Sequence, residues 1–430
     1  MTNTINPTLR NPEPDFAACV AMDWGDAEHA WAIQAGASGT VETGTLKHTP
    51  ETIHQWVLGL RQRFHAQPIA VSLEQSRGPL VFILSKYPEL HLFPIPPAMS
   101  SRFHGALHPS GSSSDKADAL SQLALLLHHR DRLRRFKPDT PDTRELQFLV
   151  EDRRTLVDEK TAASNRLTAT LKDYYPQVLV WFKDVDSPMA LDFLQQWPSL
   201  DKLQRVRRAT VEKFLTTHQS VDAELNQKRL DSMFSAINAT NDAAVINASL
   251  RRLATFVQRI LQLREQISGY DKRIAELTEA HQDHAIFSSF PMAGPAMLPR
   301  LIAAFGTDRD RYSTADDVQC YCGIAPIIQQ SGNFRVVQFR YACPKFLRQT
   351  FHEWAALTIR KSAWAAAYYH SLRQNKKDHH AAVRALAFKW IRILFRCWKT
   401  RTPYDECKYH QSLQANNTKL IAAMAALKSL

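Results

Sequence analysis

The chain has 430 residues, which is long enough for two or three domains with hydrophobic cores of their own. A hydrophobic fraction of 44% and a charged fraction of 22% are ordinary for a soluble globular protein. No apolar run approaches the length of a membrane-spanning helix, and the N-terminus lacks the basic and apolar segments of a signal peptide. These features argue against a membrane or secreted protein, and we expect a cytosolic one.

The formal charge of +12 is concentrated in the C-terminal third. Residues 286–430 contain 21 Lys and Arg against 8 Asp and Glu, a net charge of +13, whereas residues 1–285 contain 33 against 34. A localised positive field of this size attracts a polyanion, most simply nucleic acid, although it would also attract an acidic membrane surface.

The cysteines are few and irregularly spaced, and most lie in apolar sequence: Cys19, Cys320, Cys322, Cys343, Cys397 and Cys407. We expect buried, reduced thiols and no disulfides. Cys320 and Cys322 form a close pair, but no second pair follows at the spacing of a zinc finger, so structural zinc is not expected.

Residues 1–15 form a polar, proline-containing leader that we expect to be disordered. Apolar strands and amphipathic helices follow. We predict strands at 16–22, 30–34 and 41–46, a helix at 50–64, a strand at 69–73, a helix at 79–87, a strand at 90–94 and a break at Pro96 and Pro97. Asp23 ends the first of these strands, and Glu74 ends the fourth.

A serine run, Ser112 to Ser114, opens the next helix, where serine hydroxyls accept hydrogen bonds from the free N–H groups of the first turn. Asp115 and Asp118 follow three residues apart and therefore lie on one helix face. Two adjacent carboxylates repel each other unless a cation or a strong donor neutralises them, and a divalent metal is the obvious candidate. The alternative is that both acids only stabilise the positive end of the helix dipole.

The order of three strands, helix, strand, helix, strand and helix matches the ribonuclease H topology, an α/β fold. In that fold, acids from the first strand, the fourth strand and the last helix meet around two metal ions. Asp23, Glu74, Asp115 and Asp118 fall at these positions, and ligands of open α/β sheets bind at strand ends. We therefore predict that these four acids bind two Mg²⁺ ions for phosphoryl transfer.

Residues 140–285 are almost entirely helix-forming. Two long polar helices, 142–174 and 242–281, carry apolar residues at spacings of three and four, and a Trp- and Phe-bearing insertion lies between them at 176–240. We expect the long helices to pair antiparallel as a coiled-coil arm. A packed helical domain without a partner is the alternative.

The third region begins with a Pro- and Gly-rich turn and an apolar helix, within residues 287–306. This pattern resembles a helix-hairpin-helix, whose backbone N–H groups hold a DNA phosphate. The same pattern also joins helices that bind no ligand.

Basic and aromatic residues crowd the helices that follow. Five bases of the last long helix recur at spacings of three to five and form a face opposite Leu386, Ile393 and Leu394. We predict phosphate contact at this face, with a solvated face over an aromatic core as the alternative. The candidate nucleic-acid-binding residues are Arg335, Arg340, Lys345, Arg348, Arg384, Lys389, Arg392, Arg396 and Lys399.

Several of these features occur together in one known family. They are Asp23, Glu74, the Asp115/Asp118 pair, the helical middle, Gly-Ile-Ala-Pro at 323–326, Ser331-Gly332 and Cys-Pro-Lys-Phe-Leu-Arg at 343–348. The combination closely resembles the DEDD insertion-sequence transposases of the insertion-sequence one-hundred-ten family, which are similar to the Piv DNA invertases. The resemblance extends from residue 16 to about residue 409.

This resemblance implies a RuvC-like catalytic domain at 16–138, a helical coiled-coil region at 139–285 and a mainly helical transposase domain at 286–430. It implies that Ser331 attacks DNA. We expect the metal cluster to activate this serine, either in the same chain or from another subunit, and we expect a homo-oligomer, a dimer or tetramer. The resemblance further implies that a structured noncoding RNA, the bridge RNA of the element, pairs with donor and target DNA.

The residues around Ser331 do not by themselves establish this role. Residues 330–333, Gln-Ser-Gly-Asn, are a turn sequence that exposes the hydroxyl, with Arg335 and Arg340 nearby. A serine hydroxyl is a weak nucleophile until a base or a metal activates it. The rival nucleophiles are Tyr321, Tyr341, Tyr368 and Tyr369.

Two other functions stay open from the sequence. A structure-specific nuclease of the Holliday-resolvase type would share the four acids, use water as its nucleophile and need no Ser331. A noncatalytic nucleic-acid-binding protein would share only the basic C-terminal region.

Overall fold

The structure is a computed structural model that describes residues 15–36, 38–74, 77–107, 114–218, 223–332 and 334–416, together with 420, 421 and 424. The chain divides into two compact units, residues 1–138 and 139–430. The expected disordered leader lies outside the described residues except for Asp15, and so do Ser112 and Ser113. The predicted boundary between residues 285 and 286 stays a prediction.

A five-stranded mixed sheet organises the first unit. Its strands are β1 (Ala18–Asp23), β2 (Glu28–Ala35), β3 (Val41–Lys47), β4 (Ile69–Leu73) and β5 (Leu90–Pro94). Their order is β3-β2-β1-β4-β5; β2 is antiparallel to β1 and β3, whereas β4 is parallel to β1 and β5. All five predicted strands are present, and their order is consistent with the ribonuclease H topology.

Helices pack on both faces of this sheet, because successive side chains of a buried strand point to opposite sides. The helices are α1 (Pro50–Arg63), α2 (Pro79–Leu84), α3 (Pro97–Leu107) and α4 (Asp115–His129). Val20 and Met22 of β1 share one hydrophobic cluster with α1 and α2. Cys19 and Ala21 share the other with α4. The alternation of side chains along β1 and the apolar face of α4 together pack α4 against the strand that ends at Asp23.

Two helix predictions are wrong in detail. α2 ends at Leu84, earlier than predicted, where the Ser85 hydroxyl donates to the carbonyl of Val81 and satisfies the last turn. α3 begins at Pro97, where the sequence predicts a break. Proline suits the first position of a helix, because its missing N–H would have no intrahelical partner there. A Pro-Pro pair therefore marks a helix start here.

Two long antiparallel helices run through the second unit. They are α5 (Pro141–Tyr174) and α11 (Ala243–Ala280), separated by α6 (Val178–Trp181), α7 (Pro188–Gln196), α8 (Leu200–Gln204), α9 (Arg208–Thr217) and α10 (Ala223–Ser235). Arg153 pairs with Asp271, and farther along α5 Glu159 pairs with Arg259. Residue numbers thus rise along one helix as they fall along its partner. The predicted antiparallel pairing is confirmed, while a coiled coil stays a prediction.

The remaining elements are mainly helical, with one hairpin of two strands. They are α12 (His284–Ser288), α13 (Leu298–Phe305), α14 (Ala315–Tyr321), β6 (Ile327–Ser331), β7 (Phe334–Gln338), α15 (Lys345–Thr358), α16 (Ala363–Gln374), α17 (His379–Thr400) and α18 (Glu406–Asn416). A turn joins α12 to α13, and all residues of α13 are buried. Phosphate binding by this turn stays a prediction.

Two hydrophobic clusters stabilise the second unit. The insertion cluster joins α6–α10 to facing parts of α5 and α11, with Phe193 fully buried among aromatic rings. The C-terminal cluster joins the other ends of the long helices to the elements after residue 284. Its largest fully buried side chains include Trp354, Trp364, Trp390 and Trp398. These tryptophans belong to the core and not to a stacking surface for bases.

All six cysteines are free thiols. Cys19 and Cys322 are buried, but Cys320 and Cys407 are exposed, so the expectation of buried thiols is wrong for these two. Cys320 lies on α14, where Val318 and Gln319 are the buried residues, and Cys407 lies on α18, where Leu413 is buried. No helix in the described part of the chain is both long and apolar enough to cross a membrane.

Candidate active site

The two strand-end acids lie side by side at one edge of the sheet. Asp23 is the last residue of β1, and Glu74 directly follows β4. The two strands are parallel, and their last aligned pair is Met22 with Leu73. The following residues therefore emerge together, and both acids are half-buried. The sequence-based placement of these two residues is confirmed.

The helix acids lie at the start of α4. Ser114 caps this helix, its hydroxyl accepting from the backbone N–H of Ala117 at 3.3 Å. Asp115 is exposed in the first turn, and Asp118 is half-buried one turn later. The predicted cap and the predicted shared face are both present.

Two polar side chains that the sequence analysis did not single out contact these acids. Gln122 donates to Asp23 through its Nε2 atom, with 2.9 Å to Asp23 Oδ1. His104 of α3 lies with Nδ1 2.8 Å from Asp118 Oδ1. Gln122 follows Asp118 by four residues, so helix periodicity places it on the same face. His104 gave no such signal, because α3 itself was not predicted.

Burial and mutual repulsion make the ionised forms of the strand-end carboxylates less favourable. Burial, followed by the charges of Asp118 and Glu74, raises the pKa of Asp23 from 3.8 to about 6. Burial and the charge of Asp118 also raise the pKa of Glu74. A cation would lower both values, because it favours the ionised carboxylates.

These residues suit a divalent metal chemically, although the four carboxylates do not converge on one point. Among the described residues, no three His, Cys, Asp or Glu side chains are close enough to hold a metal ion. Their donor atoms are oxygens, which hard cations such as Mg²⁺ prefer. The buried Oε1 atom of Gln122 has no hydrogen-bond partner among the described residues and adds one more oxygen beside Asp23.

A compact turn holds the backbone that follows Asp23. A Cβ at Gly25 would lie 2.1 Å from the carbonyl oxygen of Glu28, so only glycine fits. The N–H of Gly25 donates to Nδ1 of His29, which leaves His29 Nε2 to bond His48 Nδ1 at 2.9 Å. The ring of Trp24 packs against both imidazoles. These contacts hold the strand end that presents Asp23.

Ser331 lies in the second unit, at the end of β6, and its side chain is exposed. It pairs with Phe334 across the hairpin, so a two-residue connection joins β6 to β7. Gly332 has a φ of 55°, a left-handed conformation that favours glycine. Asn333 lies outside the described residues. The predicted exposed hydroxyl is confirmed, whereas the strands around it were not predicted.

Three arginines hold the base of this hairpin. Arg340 Nε donates to the carbonyl of Ala325 at 3.1 Å, and Arg348 Nη1 donates to the carbonyl of Arg340 at 3.2 Å. The guanidinium carbons of Arg348 and Arg384 lie 4.7 Å and 5.1 Å from the ring centroid of Phe339. These contacts join the hairpin to α15 and α17 by cation–π attraction. The three arginines thus have structural contacts besides their predicted role.

The predicted nucleic-acid-binding residues differ in exposure. Arg335, Lys345, Arg392, Arg396 and Lys399 are exposed, whereas Arg340, Arg348, Arg384 and Lys389 are half-buried. The Lys389 amino group lies 4.2 Å from the ring centroid of Tyr368, and burial lowers the pKa of this lysine. Lys399 contacts Asp310 and the carbonyl of Arg309. The exposed pair Arg392 and Arg396 is therefore the freest part of the α17 face.

Two family models match the chain. A DEDD transposase model of IS110 elements matches residues 20–176, and a model described as "Transposase IS116/IS110/IS902 family" matches residues 284–370. The "Mini-circle putative transposase for IS117" of Streptomyces coelicolor is 27% identical over 92% of this chain and 97% of its own length. The "Insertion element IS110 uncharacterized 43.6 kDa protein" of the same organism is 23% identical over 72% of this chain and 76% of its own length. The chain belongs to the IS110 family of DEDD transposases.

The matched regions place the candidate residues of this IS110-family transposase. The first region contains Asp23, Glu74, Asp115 and Asp118, and the second contains Ser331. The "Putative transposase y4uE" of Sinorhizobium fredii is also similar, with 26% identity over 48% of this chain and 58% of its own length. As a transposase of insertion elements, the protein is an enzyme that acts on DNA.

Proposed function

We propose that this transposase cuts and rejoins DNA strands through a covalent ester between Ser331 Oγ and a DNA phosphate. The observation that carries the proposal is the exposed hydroxyl of Ser331 at the tip of a hairpin. No Asp or Glu occurs between Asp317 and Glu353, so no carboxylate of this stretch repels an approaching phosphate. The resemblance to serine-using DEDD transposases supports the same assignment.

Strand exchange follows from two balanced displacements. In the first, Ser331 Oγ bonds to phosphorus as the bond to one deoxyribose oxygen breaks; a base takes the serine proton, and the released oxygen leaves as a hydroxyl. In the second, a hydroxyl of another DNA end attacks the ester, and Ser331 regains its proton. The ester conserves the energy of the phosphodiester bond, so rejoining needs no ATP.

The acids of the first unit act in the same reaction, as part of a RuvC-like domain. One or two carboxylates of the set Asp23, Glu74, Asp115 and Asp118 would hold each Mg²⁺ together with water and phosphate oxygens. The bound ion would neutralise charge on a reacting phosphate and promote ionisation of the attacking oxygen. Gln122 and His104 orient two of these carboxylates through the hydrogen bonds described above. The raised pKa of Asp23 supports the assignment, because burial and the neighbouring carboxylates disfavour its ionised form, which a bound cation would favour.

Guidance by a structured noncoding RNA, the bridge RNA, is part of the proposal. The basic C-terminal region supports this guidance because a positively charged surface binds RNA as well as DNA, and the family resemblance supports it too. A homo-oligomer, a dimer or tetramer, would bind the RNA together with donor and target DNA. We expect recombination by the purified protein to require RNA transcribed from the noncoding segment beside the gene. Ribonuclease treatment should abolish recombination, and restoring the transcript should recover it; recombination at full rate without RNA would contradict this part.

The test of the nucleophile is the pair Ser331→Ala and Ser331→Cys, with Gln330→Ala as the matched control on the same strand. Ser331→Ala should abolish covalent protein–DNA adducts while DNA binding persists, and Gln330→Ala should form them. Ser331→Cys keeps a nucleophilic atom at the same place and should retain traces of adduct. Cutting without adducts by wild-type protein would instead favour the water-using nuclease.

A further inference from the structure

The hairpin that carries Ser331 exposes large apolar side chains on both of its faces. Phe334 is 67% exposed, Val337 is 60% exposed and Ile328 is 52% exposed. A hairpin of two strands is at best marginally stable alone in water, and apolar side chains left in solvent mark a binding surface. The strands therefore have the features of a ribbon that is completed by a partner.

The charge of the stretch around the hairpin indicates the kind of partner. Residues 318–352 contain Arg335, Arg340, Lys345 and Arg348 and contain neither Asp nor Glu. Two-stranded ribbons fit the major groove of DNA, and apolar side chains of DNA-binding proteins enter between base steps in the minor groove. An acid-free ribbon with exposed apolar residues matches DNA in both respects.

The register of the hairpin places one apolar ring beside the nucleophile. Ser331 and Phe334 are directly opposed across the two strands. Opposed residues share a face of the ribbon, with their Cβ atoms about 5 Å apart. Successive phosphates of a DNA strand are about 3.4 Å apart along the helix axis. A phosphate at Ser331 therefore brings its flanking bases within reach of the Phe334 ring.

We propose that Phe334 stacks against a base next to the phosphate attacked by Ser331, separates that base from its neighbour and so positions the phosphate for attack. The inference rests on the proposed role of Ser331. A phenyl ring cannot bind a phosphate oxygen, and the apolar surfaces of DNA are mainly base faces, which stacking covers. Contact with Phe334 therefore opens a base step, and the opened step lets the strand bend toward the hydroxyl.

Base separation is measured without chemistry, in the Ser331→Ala background. The probe is a duplex that spans the junction of element end and flank, with the element's noncoding transcript added. Its 2-aminopurine is the neighbour from which Phe334 would separate the base beside the joined phosphate, so the phenyl ring does not itself cover the probe. The fluorescence of 2-aminopurine, quenched by stacking, should rise several-fold on binding. Adding Phe334→Ala should remove this rise, and adding Gln330→Ala instead, as the matched control on the same hairpin, should keep it. An equal rise with and without Phe334 overturns the proposal.

The rate of adduct formation provides a second test. In protein that retains Ser331, Phe334→Ala should slow adduct formation about ten- to hundred-fold on a paired duplex, and Phe334→Trp should restore it. A duplex already mismatched at the flanking bases should be cut equally fast by Phe334→Ala and wild type. Equal slowing on both duplexes overturns the proposal. Loss of oligomers in DNA-free Phe334→Ala also overturns it, because the ring would then pack against a second copy of the protein and not against a base. Absence of adducts with wild type, while the 2-aminopurine signal persists, would refute the role of Ser331 alone.

Discussion

Asp23 combines partial burial with three carboxylate neighbours, and its pKa of about 6 reflects both. The ordinary value is 3.8. The folded protein therefore binds this proton more tightly than the unfolded chain, and stability is lost as the pH rises from about 4 through about 6. At neutral pH the metal-free protein is destabilised by its own candidate site.

We predict that Asp23→Asn raises the free energy of unfolding by about 1–2 kcal/mol at pH 7.5 in EDTA, a value reduced for the partial exposure of the carboxyl group. The asparagine keeps an oxygen to accept from Gln122 but carries no charge. Below pH 4 the gain should vanish, since Asp23 is then protonated. Urea titrations across this pH range measure the effect, with Glu51→Gln on the exposed start of α1 as control.

Magnesium should offset the destabilisation caused by the ionised Asp23: it should stabilise wild-type protein at pH 7.5 and leave the stability of Asp23→Asn nearly unchanged. Equal stabilisation of both proteins would argue against Asp23 as a ligand. A wild-type protein whose stability does not fall between pH 4 and pH 6 would contradict the raised pKa.

At this scale the sequence was a sufficient guide to Asp23, Glu74, Asp115 and Asp118, because strand ends and helix periodicity fix their positions. It gave no indication of His104, which lies on a helix that was not predicted. Nor did it show that Phe339 accepts two guanidinium groups, since three separate elements bring these side chains together.

The hairpin β6–β7 is the element on which the proposed chemistry depends. Its base is held by hydrogen bonds of Arg340 and Arg348 and by the Phe339 ring between α15 and α17. We predict that Phe339→Leu loosens the hairpin, with backbone amides of residues 327–338 exchanging about five- to thirty-fold faster, as expected for losing about 1–2 kcal/mol of cation–π attraction. Hydrogen-exchange mass spectrometry measures this.

Val337→Thr is the control for that experiment, because this exposed side chain contributes β-branching and no contact with a guanidinium. Its exchange should match wild type. If Phe339→Leu also left the exchange unchanged, the contacts of the Phe339 ring with the two guanidinium groups would not be what holds the hairpin.

The basic face of α17 is the second element whose role is open to test. Arg392 and Arg396 are exposed, whereas Lys389 packs over Tyr368. Replacing both arginines by alanine should lower the salt slope of nucleic-acid binding by about two units, one for each phosphate that the variant no longer neutralises. The control removes equal charge from α11 by Arg251→Ala and Lys272→Ala. A slope unchanged relative to that control would show a solvated face.

Elements whose pattern was strong were predicted well. β1, β4 and β5 are apolar runs of the right length, and α5 and α11 have long helical periodicity. Pro141 starts α5, and the Asp242 side chain caps α11. The hairpin was missed because Ile327–Ser331 and Phe334–Gln338 lack the alternation of half-buried strands: both of their faces are exposed. Such a segment looks like a loop until its partner is considered.

On the scale of the whole molecule, the two compact units have separate cores and separate candidate chemistry. The acids lie in residues 1–138, and Ser331 lies in residues 139–430. Within the second unit, α5 and α11 pass from the C-terminal cluster to the insertion cluster. Residues 177–283, which hold most of the insertion cluster, lie between the two matched family regions. Sequence periodicity predicted the long helices, but not this second aromatic core.

The insertion cluster should therefore be separable from the chemistry. Phe193→Ala removes a fully buried ring from it, which should cost about 3–5 kcal/mol locally. Hydrogen exchange should rise across residues 176–235, while α15 and α17 stay protected. Loss of protection throughout the second unit would show that its two clusters unfold as one.

The central claim is that Ser331 becomes bonded to DNA, and its most direct test is the mass of the peptide that carries the adduct. Trypsin cleaves after Arg311 and Arg335, so Ser331 falls in peptide 312–335, whereas Tyr341 and the pair Tyr368 and Tyr369 fall in other peptides. We predict that nuclease-trimmed adducts, trapped on a nicked substrate, carry their nucleotide remnant on peptide 312–335 and that fragmentation places it on Ser331. A remnant on a peptide that contains Tyr341 or the pair Tyr368 and Tyr369, or on Tyr321 within peptide 312–335, would contradict the assignment.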